Sequence, residues 1–383
     1  VGRNVWLVLA AKSARTFCYG FLGVLLPVYL TELGMDARGV GAAAALTLLS
    51  SAAMTYGIRR PAERFGLRAA LMAQAGLIVV AAALLLATRD PWLVIVAAML
   101  GNLAVGTGET GPFLTLEQVV LTRATARERL TAMLSLYNLA GYAAAGLGAA
   151  AIGPAGAAPQ ALFVLFLASG VLQIPAYGLM RPEPPRAAAA GAALRLPSGP
   201  LIRRAAALFA LDSFAGGFVV QSLVAYWLHT RFAMDVAALG WVFFAVQILS
   251  GLSLLLAARL APRLGLVNTM VLSHLLSNVL LIGVALTPNA AVAVGFLLAR
   301  HLLSQMDVPT RQSFLMLAVE DHEREAAASL TNTSRTFAQA VSPALTGWIM
   351  QGVSPAAPFY LGGGLKILYD LMLYATIRNV RMR

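Results

Sequence analysis

Arg300, Ser304, Asp307 and Arg311 stand three or four residues apart, so on an α-helix they share one face. Asn102, Gly106 and Glu109 share a face by the same rule, with Glu117 near it. Lys12, Arg15 and Tyr19 cluster near the start of the chain, while Asp212 and Arg335 are single charges in apolar surroundings. A guanidinium grips two oxygens at once and stays charged, which suits a carboxylate, phosphate or sulfonate. Arg15, Arg300 and Arg335, with Tyr19 and Ser304 beside them, could therefore hold an anion. A carboxyl group in a low-dielectric setting can take up and release a proton, and Glu109 and Asp307 are the candidates for that work. The plainer use of Lys12, Glu109, Glu117, Asp212, Asp307 and Arg311 is as ion pairs that form and break. Lys366 and Asp370, four apart, fit an intrahelical pair that neutralises itself. His229 and His274 read as locally hydrogen-bonded. Nothing has metal-ligand spacing, and no cofactor is expected.

The elements that must position these groups follow from composition. Of 383 residues, 59% are hydrophobic and 11% charged, against roughly 45–50% and 25% in a soluble domain. That excludes a water-soluble globule, a disordered chain and a coiled coil. The single cysteine, Cys18, excludes an internal disulfide and a thiolate metal centre. Crossing a bilayer takes about 20 apolar residues per helix. Twelve segments qualify: 5–30, 39–58, 69–88, 92–115, 129–152, 160–180, 204–229, 238–258, 268–287, 290–315, 326–350 and 356–377.

Charge gives the orientation. The loops on the side of the termini hold 19 basic residues and the opposite loops three, Arg38, Arg89 and Arg231. By the positive-inside rule both termini are cytoplasmic. The formal net charge of +12 is then an orientation signal and not a nucleic-acid footprint. The Pro- and Ala-rich stretch 181–203 reads as a linker between a bundle at 1–180 and one at 204–383. Each has six helices, and the two echo one another: Met35-Asp36 matches Met234-Asp235, and Arg64-Phe65-Gly66-Leu67 matches Arg263-Leu264-Gly265-Leu266, both at an offset of 199. Two matches at one offset argue for a duplicated unit.

On these residues the chain resembles the major facilitator superfamily of bacterial secondary transporters. The family pattern G-x-x-x-D-R-x-G-R-R/K between helices 2 and 3 corresponds to the stretch from Gly57 to Arg68. Glu63 stands in place of the Asp, Arg64 and Gly66 match, the basic position slips to Arg68, and the opening Gly is displaced. The resemblance implies an all-α fold of twelve transmembrane helices in two pseudo-symmetric bundles rocking about a midplane site. It also implies that helices 1, 4, 7 and 10 line the cavity, that 3, 6, 9 and 12 face lipid, and that Gly57, Glu63, Arg64, Gly66 and Arg68 form a gating loop. Lys12, Arg15, Glu109, Glu117, Asp212, Arg300, Asp307, Arg311, Arg335, Lys366 and Asp370 lie inside the spans or within two residues of one, apart from the loop charges at their ends, and eight of these eleven are on the four cavity helices.

The expected function is secondary transport of a small anionic solute by alternating access, coupled to H+, by a monomer in the bacterial inner membrane. Its partners are that solute, the proton and the bilayer, with no nucleic acid. An exporter of lipophilic drugs is the alternative within the family; Gly141, Gly146 and Gly148 of helix 5 lack the Gly-Pro signature of its drug antiporters. A membrane-embedded enzyme is the alternative from another class. Only the crowded loop Glu320–Glu325 with His322 could serve it, and a solvated acidic turn explains that loop better. No G-x-x-x-x-G-K-[ST] motif is present to bind nucleotide.

Overall fold

The computed structural model describes residues 2–106, 108–153, 159–181, 199–319 and 324–377. All regular structure among them is helical: α1 (Arg3–Glu32), α2 (Ala37–Gly57), α3 (Arg59–Ala87), α4 (Pro91–Leu100), α5 (Pro112–Ala124), α6 (Arg127–Ala150), α7 (Pro159–Gly178), α8 (Gly199–Gly217), α9 (Gln221–Phe232), α10 (Val236–Leu264), α11 (Leu266–Leu286), α12 (Ala290–Ser304), α13 (Asp307–Ala318), α14 (Arg324–Gly352) and α15 (Ala357–Ile377). Eight segments among the described residues are long and apolar enough to cross a membrane, with α8–α9 and α12–α13 each counting as one. With α4–α5 also taken as one broken crossing, the helices make the twelve crossings of an all-helical membrane protein. The Glu320–Glu325 loop lies largely outside the described residues, as does most of the 181–203 linker.

The sequence echoes prove to be conformational. Asp36 and Asp235 are both N-caps, accepting from Gly39 N at 3.0 Å and Ala238 N at 2.7 Å, so each starts the second crossing of its half. Gly66 (φ 85°, ψ 159°) and Gly265 (φ 83°, ψ 155°) hold the same left-handed bend. A Cβ would meet nothing within 4 Å at either glycine, so the backbone angle and not space demands it. The stretch expected as a gating loop is thus mostly helical: Arg59 to Phe65 continue into α3 through the bend at Gly66.

Three crossings expected to be continuous are broken near mid-membrane. Between α4 and α5 the chain runs through Gly106, Gly108 and Gly111, and Pro112 begins the new helix, having no N–H to continue the old one. Asn102 takes a left-handed φ of 49° and donates from Nδ2 to Thr110 O at 2.9 Å, tying the ends of the break. The α8–α9 break at residues 218–220 follows Gly216-Gly217, and Thr346 Oγ1 caps the Phe218 carbonyl at 3.2 Å. The α12–α13 break is two residues long, with Gln305 N bonded to Ser253 Oγ at 3.1 Å. Irregular backbone survives at this depth only when buried in protein or lining a cavity. It does both here.

We call the face carrying the Arg-rich loops the basic face. Contacts between the halves lie in the other, opposite-face half or at mid-membrane: α2 with α14, α6 with α10, and α1 with α9. At the first of these the backbones meet directly. A Cβ on Gly41 would stand 2.5 Å from the Pro343 carbonyl oxygen, and one on Gly347 closer still to that of Ala37. The Arg38 guanidinium covers Trp348 across the same seam at 4.1 Å.

Candidate functional site

The intramembrane charges form two networks with a cavity between the halves. In the first network α1 carries the cations and the broken fourth crossing the anions. Arg15 Nε donates to Glu109 Oε1 at 2.5 Å and Nη2 to Glu117 Oε2 at 2.7 Å. Nη1 reaches Glu117 Oε1 at 3.1 Å, Gln173 Oε1 at 3.0 Å and Tyr177 OH at 2.8 Å, while Nη2 also meets Glu109 Oε2 at 3.3 Å. A guanidinium has five N–H groups, and all are spoken for. Lys12 Nζ pairs with Glu109. Glu117 is equally full, since Tyr137 and Tyr177 donate to its two oxygens at 2.6 and 2.5 Å besides Arg15. Phe113 closes over the Arg15 guanidinium at 4.1 Å, and Arg15 and Glu117 are wholly buried.

The second network is spread over four helices. Asp212 on α8 accepts from Lys366 Nζ at 2.6 Å and from Arg311 Nη1 at 3.4 Å. Arg311 Nη1 also donates to Asp307, one turn back on α13, at 2.6 Å. His274 Nδ1 stands 2.7 Å from Asp370 Oδ1, and Asn278 Nδ2 donates to Asp370 Oδ2 at 3.0 Å. Lys366 and Asp370 thus do not neutralise each other. One turns to Asp212 and the other to His274, so α15 and α11 join the site by their inner faces instead of serving only the lipid. His274 is the bridge between two acids, whereas His229 makes only the local contact to Met234 O at 2.7 Å. Asp212, His274 and Asp307 bring one donor atom each within 4.8 Å of one another, but Lys366 and Arg311 already sit on those carboxylates.

Between the networks lies a cavity of about 200 Å³. The first half supplies Lys12, Thr16, Tyr19, Glu109, Gln118, Asn138 and Tyr142 and the unwound backbone at Ala104, Gly106 and Gly108. The second half supplies Gln221, Gln247, Leu254 and Val308. Gln247 Nε2 donates to Gln221 Oε1 at 3.2 Å, while the buried Gln247 Oε1 has no partner. Tyr142 OH reaches Gln305 Oε1 across the halves at 3.3 Å.

Arg15, Arg300 and Arg335 are not brought together here, and none lines the cavity. Arg15 belongs to the first network. Arg335 Nε donates to Ser213 Oγ at 3.0 Å. Arg300 is 8% exposed; its Nη1 lies 3.5 Å from His301 Nε2, and its Nε has no partner. The face expected to run from Arg300 through Ser304 to Arg311 is divided by the break at Gln305-Met306. The shared face of Asn102, Gly106 and Glu109 is likewise lost, because that stretch is not helical. Tyr19 does face the cavity and donates to Gly101 O at 2.9 Å. Glu63 and Arg64 are exposed on the basic face, with Gly57 ending α2 and Arg68 following the bend. Sequence reasoning missed Tyr137, Gln173, Tyr177 and Asn278, and it gave His274 a local hydrogen bond where the ring instead joins α11 to α15 and α8. Only the i, i+4 spacing of Gln173 and Tyr177 hinted at a shared polar face.

Comparison with known proteins agrees with this architecture. The family model of the Major Facilitator Superfamily matches residues 8–300 and 206–381. The chain belongs to that superfamily, whose members are transporters and not enzymes. An uncharacterized membrane protein of Saccharomyces cerevisiae is 21% identical over 418 residues, covering 97% of this chain and 93% of that protein. Among solved structures, a point mutant of the nucleoside transporter NupG superposes with a TM-score of 0.80 at 12% identity, over 98% of this chain and all of that one. A D-xylose-proton symporter gives 0.77 at 11% identity, over 99% and 100%. An inward-facing, occupied bacterial homologue of the human lysosomal transporter Spinster gives 0.73 at 12%, over 99% and 98%.

Proposed function

We propose that this transporter moves a small, hydrophilic solute bound through amides and hydroxyls in the central cavity, and that a proton gradient drives it. The observation that carries the reading is the lining: Gln118, Asn138, Gln221 and Gln247 with Thr16, Tyr19 and Tyr142, and one buried acceptor, Gln247 Oε1, left bare. A bare buried acceptor costs roughly 1–3 kcal/mol until a donor reaches it, and a solute hydroxyl or amine supplies one. The charges in the wall, Lys12 and Glu109, face each other, which suits a neutral or zwitterionic solute. Among the described residues two aromatic side chains line the cavity, Tyr19 and Tyr142, a poor match to a lipophilic drug.

The halves 1–180 and 204–383 are proposed to rock about this cavity, joined by the linker 181–203. The basic face is assigned to the cytoplasm of a bacterial inner membrane, because 19 of the loop cations lie there against three opposite. The seam of α2 and α14 then closes the outer side, and the cavity is poised toward the cytoplasm. A complete cavity within one chain supports a monomer as the working unit.

A second reading keeps the anionic solute and rests on Arg300, a buried cation whose Nε has no partner. It sits on α12, one hinge away from Val308 in the cavity wall. A thermal-shift screen of the purified protein separates the readings, using polyols and nucleosides, small carboxylates and phosphates, and lipophilic cations. Stabilisation by a hydroxylated solute, lost in Gln247→Ala and kept in Arg300→Ala, is the expected result. Stabilisation by carboxylates that disappears in Arg300→Ala establishes the second reading. A response to lipophilic cations alone overturns both.

A further inference from the structure

We propose that His274 is the proton-binding group of the second half, taking the coupling proton between Asp370 and Asp212. This rests on the proton-driven reading above and adds a seat for the proton on α11, outside the cavity wall. Both ring nitrogens are placed for it. Nδ1 is 2.7 Å from Asp370 Oδ1. Nε2 lies 3.4 Å from Lys366 Nζ and 3.5 Å from Asp212 Oδ1.

A neutral imidazole has one N–H and one lone pair, and an imidazolium has two N–H groups. In the neutral ring Nδ1–H donates to Asp370 and Nε2 accepts from Lys366. In the protonated ring Nδ1–H keeps Asp370 and Nε2–H turns to Asp212. Each state finds its partners in place, and the change between them needs only a small swing of the Lys366 ammonium.

Asp212, Asp307 and Asp370 face His274 from α8, α13 and α15, with Lys366 on α15 and Arg311 on α13 as the direct cations. These direct partners carry one more negative than positive charge, and Arg335 beside Ser213 lies near enough to Asp212 to share in offsetting it. The Tyr369 ring packs edge-on against the imidazole at 5.8 Å. The remaining charged or titratable groups around the network are Arg335 on α14, held at Ser213, and Arg300 with His301 on α12, whose Arg300 carbonyl accepts from Ser277 of α11 at 3.3 Å. His274 is the sole titratable group on α11.

The consequence reaches the cavity through α8. Asp212 shares Lys366 with the ring and lies nine residues before Gln221, which opens α9 and lines the cavity. Gly216 and Gly217 and the break lie between them. A change in how Lys366 is held between Asp212 and His274 therefore acts on the segment that ends at the solute site.

The test uses the full-length protein in nanodiscs with ¹⁵N-labelled histidine, His274→Gln assigning the resonance. Spin labels at Arg89→Cys and Pro288→Cys, in a Cys18→Ser background, report the separation of the halves. Over a measured range of about pH 5 to 9, the expected result is protonation of His274, a label distance that follows the same midpoint, and no pH response in His274→Gln. Asp370→Asn, which keeps the ring but removes the carboxylate at Nδ1, should displace that midpoint. A His274 resonance that is flat across the range overturns the proposal. A pH-dependent distance unchanged in His274→Gln also overturns it but leaves proton coupling standing with another carrier. Titration of His274 with no pH-dependent distance in the wild type overturns proton coupling itself.

Discussion

The two buried networks occupy corresponding places in the halves yet are built to opposite specifications. In the first, two cations meet two carboxylates. Arg15 uses every N–H, Glu117 accepts four bonds, and tyrosines and a glutamine fill the remainder. In the second, Asp212 draws on Lys366 and Arg311, Asp307 on Arg311 and Asp370 on His274, several contacts are 3.4 Å or longer, and the histidine stands between two acids. A saturated network has one arrangement, because any movement strands a buried charge. A network with long contacts and a ring that can act as donor or acceptor has two. On the proposal that His274 takes the proton, the first network is the fixed wall of the cavity and the second the part that changes.

That contrast can be broken by mutation. The largest effect is expected for Arg15→Met, which leaves Glu109 with only Lys12 and Glu117 with only tyrosines. Stranding a buried partner costs roughly 3–5 kcal/mol, read as a fall in thermal midpoint and in monodisperse yield. Asp370→Asn should cost less than half as much in the same assay, since the amide still accepts from a neutral ring. An equal loss in the two variants would erase the distinction.

Next in size is Gly347→Val at the α2–α14 seam, where any side chain meets the Ala37 carbonyl. It should force the halves apart at the opposite face, lengthening the distance between labels at Arg89→Cys and Pro288→Cys. An unchanged distance places the closure elsewhere. The smallest effects belong to the repeated bends. Gly66→Ala and Gly265→Ala should each lose about 1–3 kcal/mol, because positive φ with extended ψ is open essentially to glycine alone, and by similar amounts. A large difference between them shows that the two bends are not equivalent.

Much of the fold was legible in the sequence because its signals are local. Hydropathy marks the crossings, and the N-capping Asp36 and Asp235 and the bends at Gly66 and Gly265 mark the duplication. The break before Pro112 was also written there, in Gly106, Gly108 and Gly111, but a hydropathy window averages over it. The site was less legible because charge types name candidates without naming partners. Lys366 could be read with Asp370 four residues away, yet it pairs with Asp212, 154 positions distant. Tyr137, Gln173 and Tyr177 carry no charge, so beyond the i, i+4 spacing of the last two little distinguished them from ordinary helix residues until Arg15 was seen among them. Arg15 itself looked free to bind an anion for the same reason.

The division between a fixed and a changing network is tested most directly by pH-difference infrared spectroscopy of the purified protein from about pH 5 to pH 9, reading the imidazole and carboxylate bands. The expected result is a difference spectrum that persists in Glu117→Gln, or in Tyr137→Phe if that variant does not fold, and vanishes in His274→Gln. Bands that vanish when the first network is altered and persist without His274 would place the exchanging proton in the half described here as fixed.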